Sequence, residues 1–221
     1  MKEIMSIGTQ TQAMVHPVGG QVFPLTARAL ADSNMVEARR QLLHAHHIAP
    51  LTAYVAELRA RHPDWEFPDF DPLDGGIEAD LLFLLEKPGP KTSPENKGSG
   101  FISRDNNDPT AHAIFEHMGK ANIDRRRTVL WNTVPGWNRT RAIAAGEVKA
   151  GLQELHRLLE LLPALRTVVL VGRKAQRAEA ILTTKPLRLF HSAHPSPLVR
   201  GPNPAMWNQI HHQWAEAAAP Y

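Results

Sequence analysis

The sequence predicts an α/β protein: a three-layer α/β/α sandwich with a central, four-stranded, mainly parallel sheet. Four short runs of consecutive apolar residues are typical of strands buried on both faces. Helical patterns separate each run from the next, which is the order expected for parallel strands joined by right-handed crossovers. The chain has 221 residues, enough to bury one large core.

The N-terminal part of the chain precedes the first of these runs. Residues 1–25 mix Gly, Thr, Gln and Pro without a period, so we expect an irregular N-terminal arm. Residues 26–221 are expected to form a single domain, whose first part, residues 26–75, is helical. Within that part, residues 26–48 and 50–61 carry apolar positions at helical spacing, with a break around residues 32–34 that could cap a new helix.

Strand and helix patterns alternate from residue 80 onward. The predicted strands are residues 80–86, 127–134, 167–172 and 187–192. The predicted helices are residues 109–121, 146–162, 173–183 and 204–218. The last of these helices is amphipathic and is expected to close the domain.

The composition limits the chemistry that the chain can perform. It contains no cysteine, which excludes disulfides, thiolate zinc sites and a cysteine-ligated iron–sulfur cluster. The histidines at 44, 46 and 47 lack the i, i+4 spacing of a helical zinc site, so no metal is predicted. The net charge is +3 and arginines cluster at 125–127 and again at 139 and 141, which indicates an anionic partner.

Two absences bear on location. No stretch reaches the about 18 consecutive apolar residues of a membrane-spanning helix. The first residues lack the basic and then apolar pattern of an export signal. We therefore expect a cytoplasmic protein without a membrane partner.

Three unusual loops follow predicted strands. They are residues 86–101, 131–139 and 192–200. In open parallel sheets, ligands bind at the carboxyl ends of the strands, where loops and helix N-termini converge. We therefore expect these three loops to face one another around a ligand.

These loops carry motifs that resemble the uracil-DNA glycosylase superfamily. His-Pro-Ser-Pro-Leu at 194–198 and Asn-Thr-Val at 132–134 are similar to motifs of its housekeeping branch. Glu-Lys-Pro-Gly at 86–89 resembles the Gly-Glu-x-Pro-Gly motif of its iron–sulfur branch, and Gly-Phe at 100–101 resembles the phenylalanine motif of that branch. The likeness covers roughly residues 81–214 in motif order.

The resemblance implies a DNA glycosylase that flips uracil out of DNA and hydrolyses its N-glycosidic bond, leaving an abasic site for base excision repair. Its partner would be uracil-containing DNA, single- or double-stranded. A monomer is expected, with no cofactor and no iron–sulfur cluster. Two alternatives stay open: a glycosylase for another deaminated base, such as hypoxanthine or xanthine, and a catalytically silent relative that binds uracil or abasic DNA.

Three residues are assigned to the base. His194 is the candidate donor to uracil O2, which gains negative charge as the base leaves. The amide of Asn132 can offer one donor and one acceptor, which matches uracil O4 and N3–H. Phe101 would stack on the flipped base. The alternatives are a histidine bonded to the backbone, an asparagine that satisfies a strand end, and a core phenylalanine.

Five residues are assigned to DNA. Leu198 lies at the tip of a loop stiffened by prolines and is expected to wedge into the duplex, where it replaces the flipped base. Pro197 belongs to the same tip. Ser196, Ser99 and Arg200 are expected to contact phosphates through hydroxyl and guanidinium donors.

The first motif departs from the housekeeping pattern at two positions. Lys87 stands where that branch has an aspartate that orients the attacking water, and this lysine suggests the silent alternative. Glu86 matches the acidic residue of the iron–sulfur branch and is the candidate to position water, unless it only pairs with a nearby Lys or Arg. Pro88 and Gly89 are assigned to the base pocket. Gly89 replaces a tyrosine that excludes the thymine methyl, so thymine must be excluded elsewhere.

Overall fold

The computed structural model describes residues 15–18, 21–24 and 26–220. The strands are β1 (Val15–Val18), β2 (Gln21–Pro24), β3 (Asp69–Phe70), β4 (Leu81–Leu85), β5 (Phe101–Ile102), β6 (Thr128–Asn132), β7 (Thr167–Val171) and β8 (Arg188–Ser192). The α-helices are α1 (Ser33–Arg40), α2 (Ala49–Arg61), α3 (Pro109–Lys120), α4 (Ala145–Glu160), α5 (Glu179–Leu182), α6 (Pro197–Arg200) and α7 (Pro204–Ala218). Short 3₁₀ turns lie at Ala29–Ala31, Gly76–Glu78, Pro90–Thr92, Pro94–Asn96, Arg125–Arg127 and Ala175–Ala178.

The central sheet has four parallel strands in the order β6-β4-β7-β8. All four predicted strands are confirmed. Every residue of β4, β6 and β7 is buried, as continuous apolar runs predict. The edge strand β8 is half-buried over most of its length. The three-layer α/β/α class is confirmed.

Helices cover both faces of the sheet. On one face, the Phe83 ring meets the Trp214 ring of α7 edge-on, with centroids 5.0 Å apart, and α3 packs against α7. On the other face, Trp131 lies against Tyr54 of α2 at 6.1 Å. The Tyr54 hydroxyl donates to the carbonyl of Glu154 in α4, so α2 and α4 share this layer.

The order of the strands places a crevice between β4 and β7. The chain leaves β4 towards β6 through α3 and leaves β7 towards β8 through α5, in opposite directions across the sheet. At such a topological switch point the loops separate and a ligand can bind above the carboxyl ends of the strands.

The N-terminal part differs from the prediction. β1 and β2 form an antiparallel hairpin within the arm that was expected to be irregular, and Gly19-Gly20 between them in sequence is a two-residue hairpin signal. Residues 1–14, 19, 20 and 25 of the arm lie outside the described residues. The break in the helical pattern predicted around residues 32–34 is confirmed, and the pattern over residues 26–48 is helical only in part. Only α1 forms there, because the Asp32 carboxylate caps a new helix by accepting from the Asn34 N–H.

Two further elements depart from the periodicity. The helix predicted over residues 173–183 is a 3₁₀ turn at Ala175–Ala178 followed by the single turn of α5. The two-residue strands β3 and β5 pair in parallel, Asp69 with Phe101, and no pattern predicted them. The other predicted helices from α2 to α7 lie within two residues of their expected bounds.

A buried network of ion pairs joins α1, the segment before β4, the loop after β5 and the 3₁₀ turn before β6. Its members are Arg39, Arg104, Arg125, Asp71, Asp74 and Asp105, each at most 5% exposed. Arg39 donates to Asp71 and Asp105 at 2.5 Å each. Each charge removed from water here has an opposite charge in contact, which burial of ions requires.

The arginine cluster at 125–127 belongs to this part of the structure and is paired with acidic side chains, so it does not supply the surface for the expected anionic partner. Arg125 pairs with all three aspartates of the network at 2.6–2.8 Å. Arg126 pairs with Glu78 and Arg127 pairs with Asp80. Sequence position alone does not show that acidic residues from distant segments neutralise the cluster.

Neutralising Asp71 and neutralising Asp74 are expected to change the free energy of unfolding by different amounts. Burial alone would raise the pKa of Asp71, but Arg39 and Arg125 outweigh it and hold that pKa below its usual value. Burial raises the pKa of Asp74 to about 6, because Arg104 and Arg125 offset only part of the desolvation.

Asp71→Asn is therefore expected to lower the free energy of unfolding at pH 7 by about 3–5 kcal/mol, the usual loss for breaking a buried pair. Asp74→Asn, the matched control, is expected to lower it less, because its buried charge is less well compensated. Urea unfolding of both variants measures the difference. Equal losses would contradict this account of the network.

Candidate active site

Glu86 directly follows β4 at the crevice. Its carboxylate Oε2 lies 3.4 Å from the Lys174 ammonium, which comes from the loop after β7. Its backbone carbonyl accepts from the Val134 N–H at 2.9 Å, which ties the first-motif loop to the second. The pairing of Glu86 with a nearby lysine is thus observed, and its second carboxylate oxygen faces the neighbouring loop described next.

Gly172, the first residue after β7, brings Glu86 and His194 together. Its φ is +87°, a conformation that favours glycine. A Cβ built on it would lie 3.0 Å from the His194 Cβ and 3.4 Å from Glu86 Oε1. The His194 and Glu86 side chains therefore pack against the Cα of Gly172, where a hydrogen atom fits and a methyl group would be crowded. The only signal in the sequence for this glycine is its position directly after a buried strand.

His194 is half-buried, and its surroundings favour the neutral form of its ring. Burial lowers the pKa of His194, and the Lys174 ammonium adds to this, while the Glu86 and Asp108 carboxylates act in the opposite direction. No side-chain hydrogen bond holds the imidazole within the described part of the chain, so the alternative of a histidine tied to the backbone finds no support there. A neutral ring with a free N–H can donate to a ligand.

Asn132 ends β6 opposite Leu85, the residue before Glu86. It is 6% exposed, and its amide has no hydrogen-bond partner among the described residues. Thr133 satisfies the strand end instead, since both its N–H and its hydroxyl donate to the Leu85 carbonyl at 2.9 Å. Because Trp131 points towards α2, Asn132 points towards the face covered by α3 and α7.

Phe101 is fully buried in β5, yet it is not a member of the main core cluster found among the described residues. Its backbone is held on both sides. The Asn106 amide donates to the Phe101 carbonyl at 2.9 Å, and the Phe101 N–H donates to the Ser99 hydroxyl at 3.0 Å. The Ser99 hydroxyl in turn donates to Asn106, so it braces Phe101 and would have to leave that bond to reach a phosphate.

Lys87 points away from His194. Its ammonium donates to the Asn138 side chain at 2.7 Å and the Ala142 carbonyl at 2.9 Å, and pairs with Glu147 at 3.2 Å. Lys87 therefore connects the first-motif loop to the second-motif loop and to the N-terminus of α4. Lys87 stands where the housekeeping branch has its aspartate, and its bonds hold it behind the second-motif loop.

Pro88 and Gly89 continue the first-motif loop. Pro88 is buried, and Gly89 is half-buried. A Cβ built on Gly89 would meet no atom within 4 Å, so space is open at this position. The carbonyl of Gly89 accepts from the Thr92 hydroxyl at 2.7 Å, which fixes the turn.

The residues assigned to DNA cluster around α6. Leu198 is 85% exposed, and with Met206 it accounts for the large hydrophobic side chains exposed in the described part of the chain. Pro197 and Arg200 are exposed on the same turn, while Ser196 is half-buried. The Arg200 guanidinium lies 5.6 Å from the Trp207 ring centroid. Apart from Ser99, the structure therefore brings this set to one surface.

A separate cavity of about 260 Å³ lies between α2 and α4, behind the second-motif loop. Its walls include Leu58, His62, Trp65, Phe67, Pro135 and Ala150. No predicted site residue lines it, and its walls are mostly apolar. We therefore place the site at the crevice, where the unpartnered amide and imidazole lie.

Within residues 15–18, 21–24 and 26–220, no group of three or more acidic or histidine side chains is arranged to hold a metal ion. In the same ranges, no helix has the length and apolar character needed to cross a membrane.

Comparisons with known proteins agree with the motifs. A family model described as the uracil DNA glycosylase superfamily matches residues 72–215, more than half of the chain. No curated protein matches the chain. Among solved structures, the chain is similar to the solution NMR structure of a candidate uracil DNA glycosylase from Methanosarcina acetivorans. The identity is 19%, the TM-score is 0.40, and the match covers 63% of this chain and 92% of that one.

Gly172→Ala is expected to displace His194, because the new methyl group would lie 3.0 Å from the His194 Cβ at a positive φ. Such strain costs about 1–3 kcal/mol, so the protein should still fold. The imidazole NMR signals of His194 should move in this variant. In Gly89→Ala, the matched control, the added methyl meets open space and these signals should stay in place. Equal changes in both variants would refute the packing of His194 on Gly172.

Proposed function

Because the chain belongs to the uracil DNA glycosylase superfamily, we propose that it is a DNA glycosylase that flips uracil out of DNA and hydrolyses its N-glycosidic bond. The observation that carries the proposal is the approach of His194 and Glu86 at Gly172. The free amide of Asn132 lies at the end of β6, the strand that pairs with β4, and Glu86 directly follows β4. The product is an abasic site, and the protein would serve base excision repair in the cytoplasm as a monomer.

Charge development at the base is the step that the proposed site would assist. As the bond between C1′ and N1 breaks, its electron pair passes to uracil and negative charge builds on O2. A neutral His194 N–H aimed at O2 would stabilise that charge more strongly in the transition state than in the ground state. The lowered pKa of His194 is consistent with this role, since it favours a neutral ring that keeps one N–H to donate.

Base recognition would fall to Asn132 and Phe101. The Asn132 side chain has both of its hydrogen-bonding groups unused, and it can accept from N3–H and donate to O4. Cytosine offers the reverse pattern, so the amide would reject it only when held in the orientation that matches uracil. Phe101 would supply the apolar surface for stacking, and its braced backbone supports a fixed ring position.

Water attack at C1′ completes the reaction. Glu86 would accept a hydrogen bond from the water, and as the water oxygen bonds to C1′ its proton passes to the Glu86 carboxylate. The alternative of a silent DNA-binding relative was suggested by Lys87. That lysine is engaged with Asn138 and Glu147 behind the loop, so it does not occupy the crevice in place of a catalytic group.

A second candidate function follows from Gly89. The open space beside it lies where the housekeeping branch carries a tyrosine against the thymine methyl. A wider pocket would favour a larger deaminated base such as hypoxanthine or xanthine. The two candidates share the crevice, His194 and the reaction type, and differ only in the base.

Wild-type protein is expected to release uracil from a labelled oligonucleotide and to leave thymine in place, which alkali-sensitive strand cleavage measures. His194→Ala should raise the barrier by about 2–4 kcal/mol, a rate loss of roughly 30- to 1,000-fold. A matching hypoxanthine oligonucleotide is the third substrate. Release of hypoxanthine without uracil would select the second candidate, and binding without release of any base would select the silent relative.

Leu198→Ala is expected to reduce cleavage of uracil in duplex DNA roughly tenfold more than cleavage in single strands, because only a duplex contains a stack to fill. Met206→Ala is the matched control, since it removes the other exposed large hydrophobic side chain. Single-turnover rates on both substrates give the comparison. Equal losses on duplex and single-stranded DNA would argue against a wedge.

A further inference from the structure

Lys174 is a charged residue at the crevice that lies outside the three motif loops. It follows β7 by way of Gly172, and its ammonium lies 3.4 Å from Glu86 Oε2. The pair is partly exposed, at 49% for the lysine side chain and 27% for the glutamate. Exposed pairs of this kind contribute little to stability. A contribution to the stability of the fold therefore does not explain the contact between Lys174 and Glu86.

The Glu86 carboxylate is shared between two neighbours. Oε2 faces Lys174, while Oε1 lies on the side of Gly172 and His194. Without a partner for Oε2, the carboxylate could rotate about its side-chain bonds, since nothing else in the described part of the chain bonds to it. The lysine contact thus fixes which oxygen is presented at the crevice.

We propose that Lys174 is a positioning residue, whose ammonium holds the Glu86 carboxylate in place beside His194. This inference rests on the proposed function, since it assigns Lys174 a part in the same reaction. Lys174 would act through Glu86, by keeping one carboxylate oxygen available for the attacking water, and need not touch the base. A misplaced water-positioning group costs rate more than substrate affinity.

The charges around His194 give this idea a measurable signature. Three charged groups act on the ring: Glu86 after β4, Lys174 after β7, and Asp108 at the N-cap of α3. The two carboxylates raise the pKa of His194 and the ammonium lowers it. Removing the ammonium should therefore raise that pKa, and removing the Glu86 charge should lower it.

The first measurement is an NMR pH titration of the His194 imidazole in the protein without DNA, with the signal assigned by its loss in His194→Asn. We expect the pKa to rise in Lys174→Met, to fall in Glu86→Gln, and to stay near the wild-type value in Lys174→Arg. Arg173→Met is the matched control, because it removes the adjacent positive charge, which has no ion pair in the described part of the chain. Identical behaviour of Lys174→Met and Arg173→Met would overturn the proposal.

The second measurement separates positioning from phosphate binding. On uracil DNA, Lys174→Met should lower kcat about tenfold with a smaller change in KM, and Lys174→Arg should restore most of the rate. A rise in KM alone would identify Lys174 as a phosphate contact and overturn the proposal. If the wild-type protein releases no uracil while the titrations behave as expected, the placement of Glu86 by Lys174 stands and the proposed function fails.

Discussion

The close approach of three chain segments at Gly172 is the constraint on which the site depends. Parallel pairing brings the ends of β4, β7 and β8 to one edge of the sheet, and the divergence of the chain between β4 and β7 opens a crevice there. A side chain at position 172 would occupy the space in which His194 and Glu86 meet. Backbone geometry, more than any single hydrogen bond, therefore sets the distance between these two groups.

The N-terminal part supports this arrangement through the buried ion-pair network. Arg39 of α1 contacts Asp105, which lies four residues after Phe101 and three before Asp108, the N-cap of α3. The loop that would carry the stacking ring is thus anchored to a helix that the family motifs do not include. Buried ion pairs often add little net stability, but breaking one is costly, so such a network favours one arrangement of the loop over others.

The sequence predicted the parts of the fold that local patterns encode. Continuous apolar runs identified β4, β6, β7 and β8, and amphipathic spacing identified α7 to the residue. The β1–β2 hairpin and the β3–β5 pair were not predicted, because strands of two to four residues are too short to show the alternation of apolar and polar residues. The buried ion pairs of Arg125 were not predicted for another reason. Its partners lie 20 to 54 positions away in sequence, and local patterns do not indicate contacts between such distant residues.

Within the site, motifs predicted which residues approach the crevice but not how each side chain is directed. His194, Glu86 and Asn132 belong to loops and strand ends that converge, while Lys87, from the same motif as Glu86, turns to the opposite side. Lys174 lies in a loop without a motif, so only coordinates reveal its contact with Glu86.

The most direct test is a crystal structure of the protein bound to DNA that contains 2′-fluoro-deoxyuridine, a nucleotide that resists cleavage. The account predicts an extrahelical uracil with a His194 ring nitrogen about 2.7–3.1 Å from O2 and the Asn132 amide on the N3 and O4 edge. An uracil left in the helical stack, or these two side chains too far apart to contact one pyrimidine ring, would contradict it.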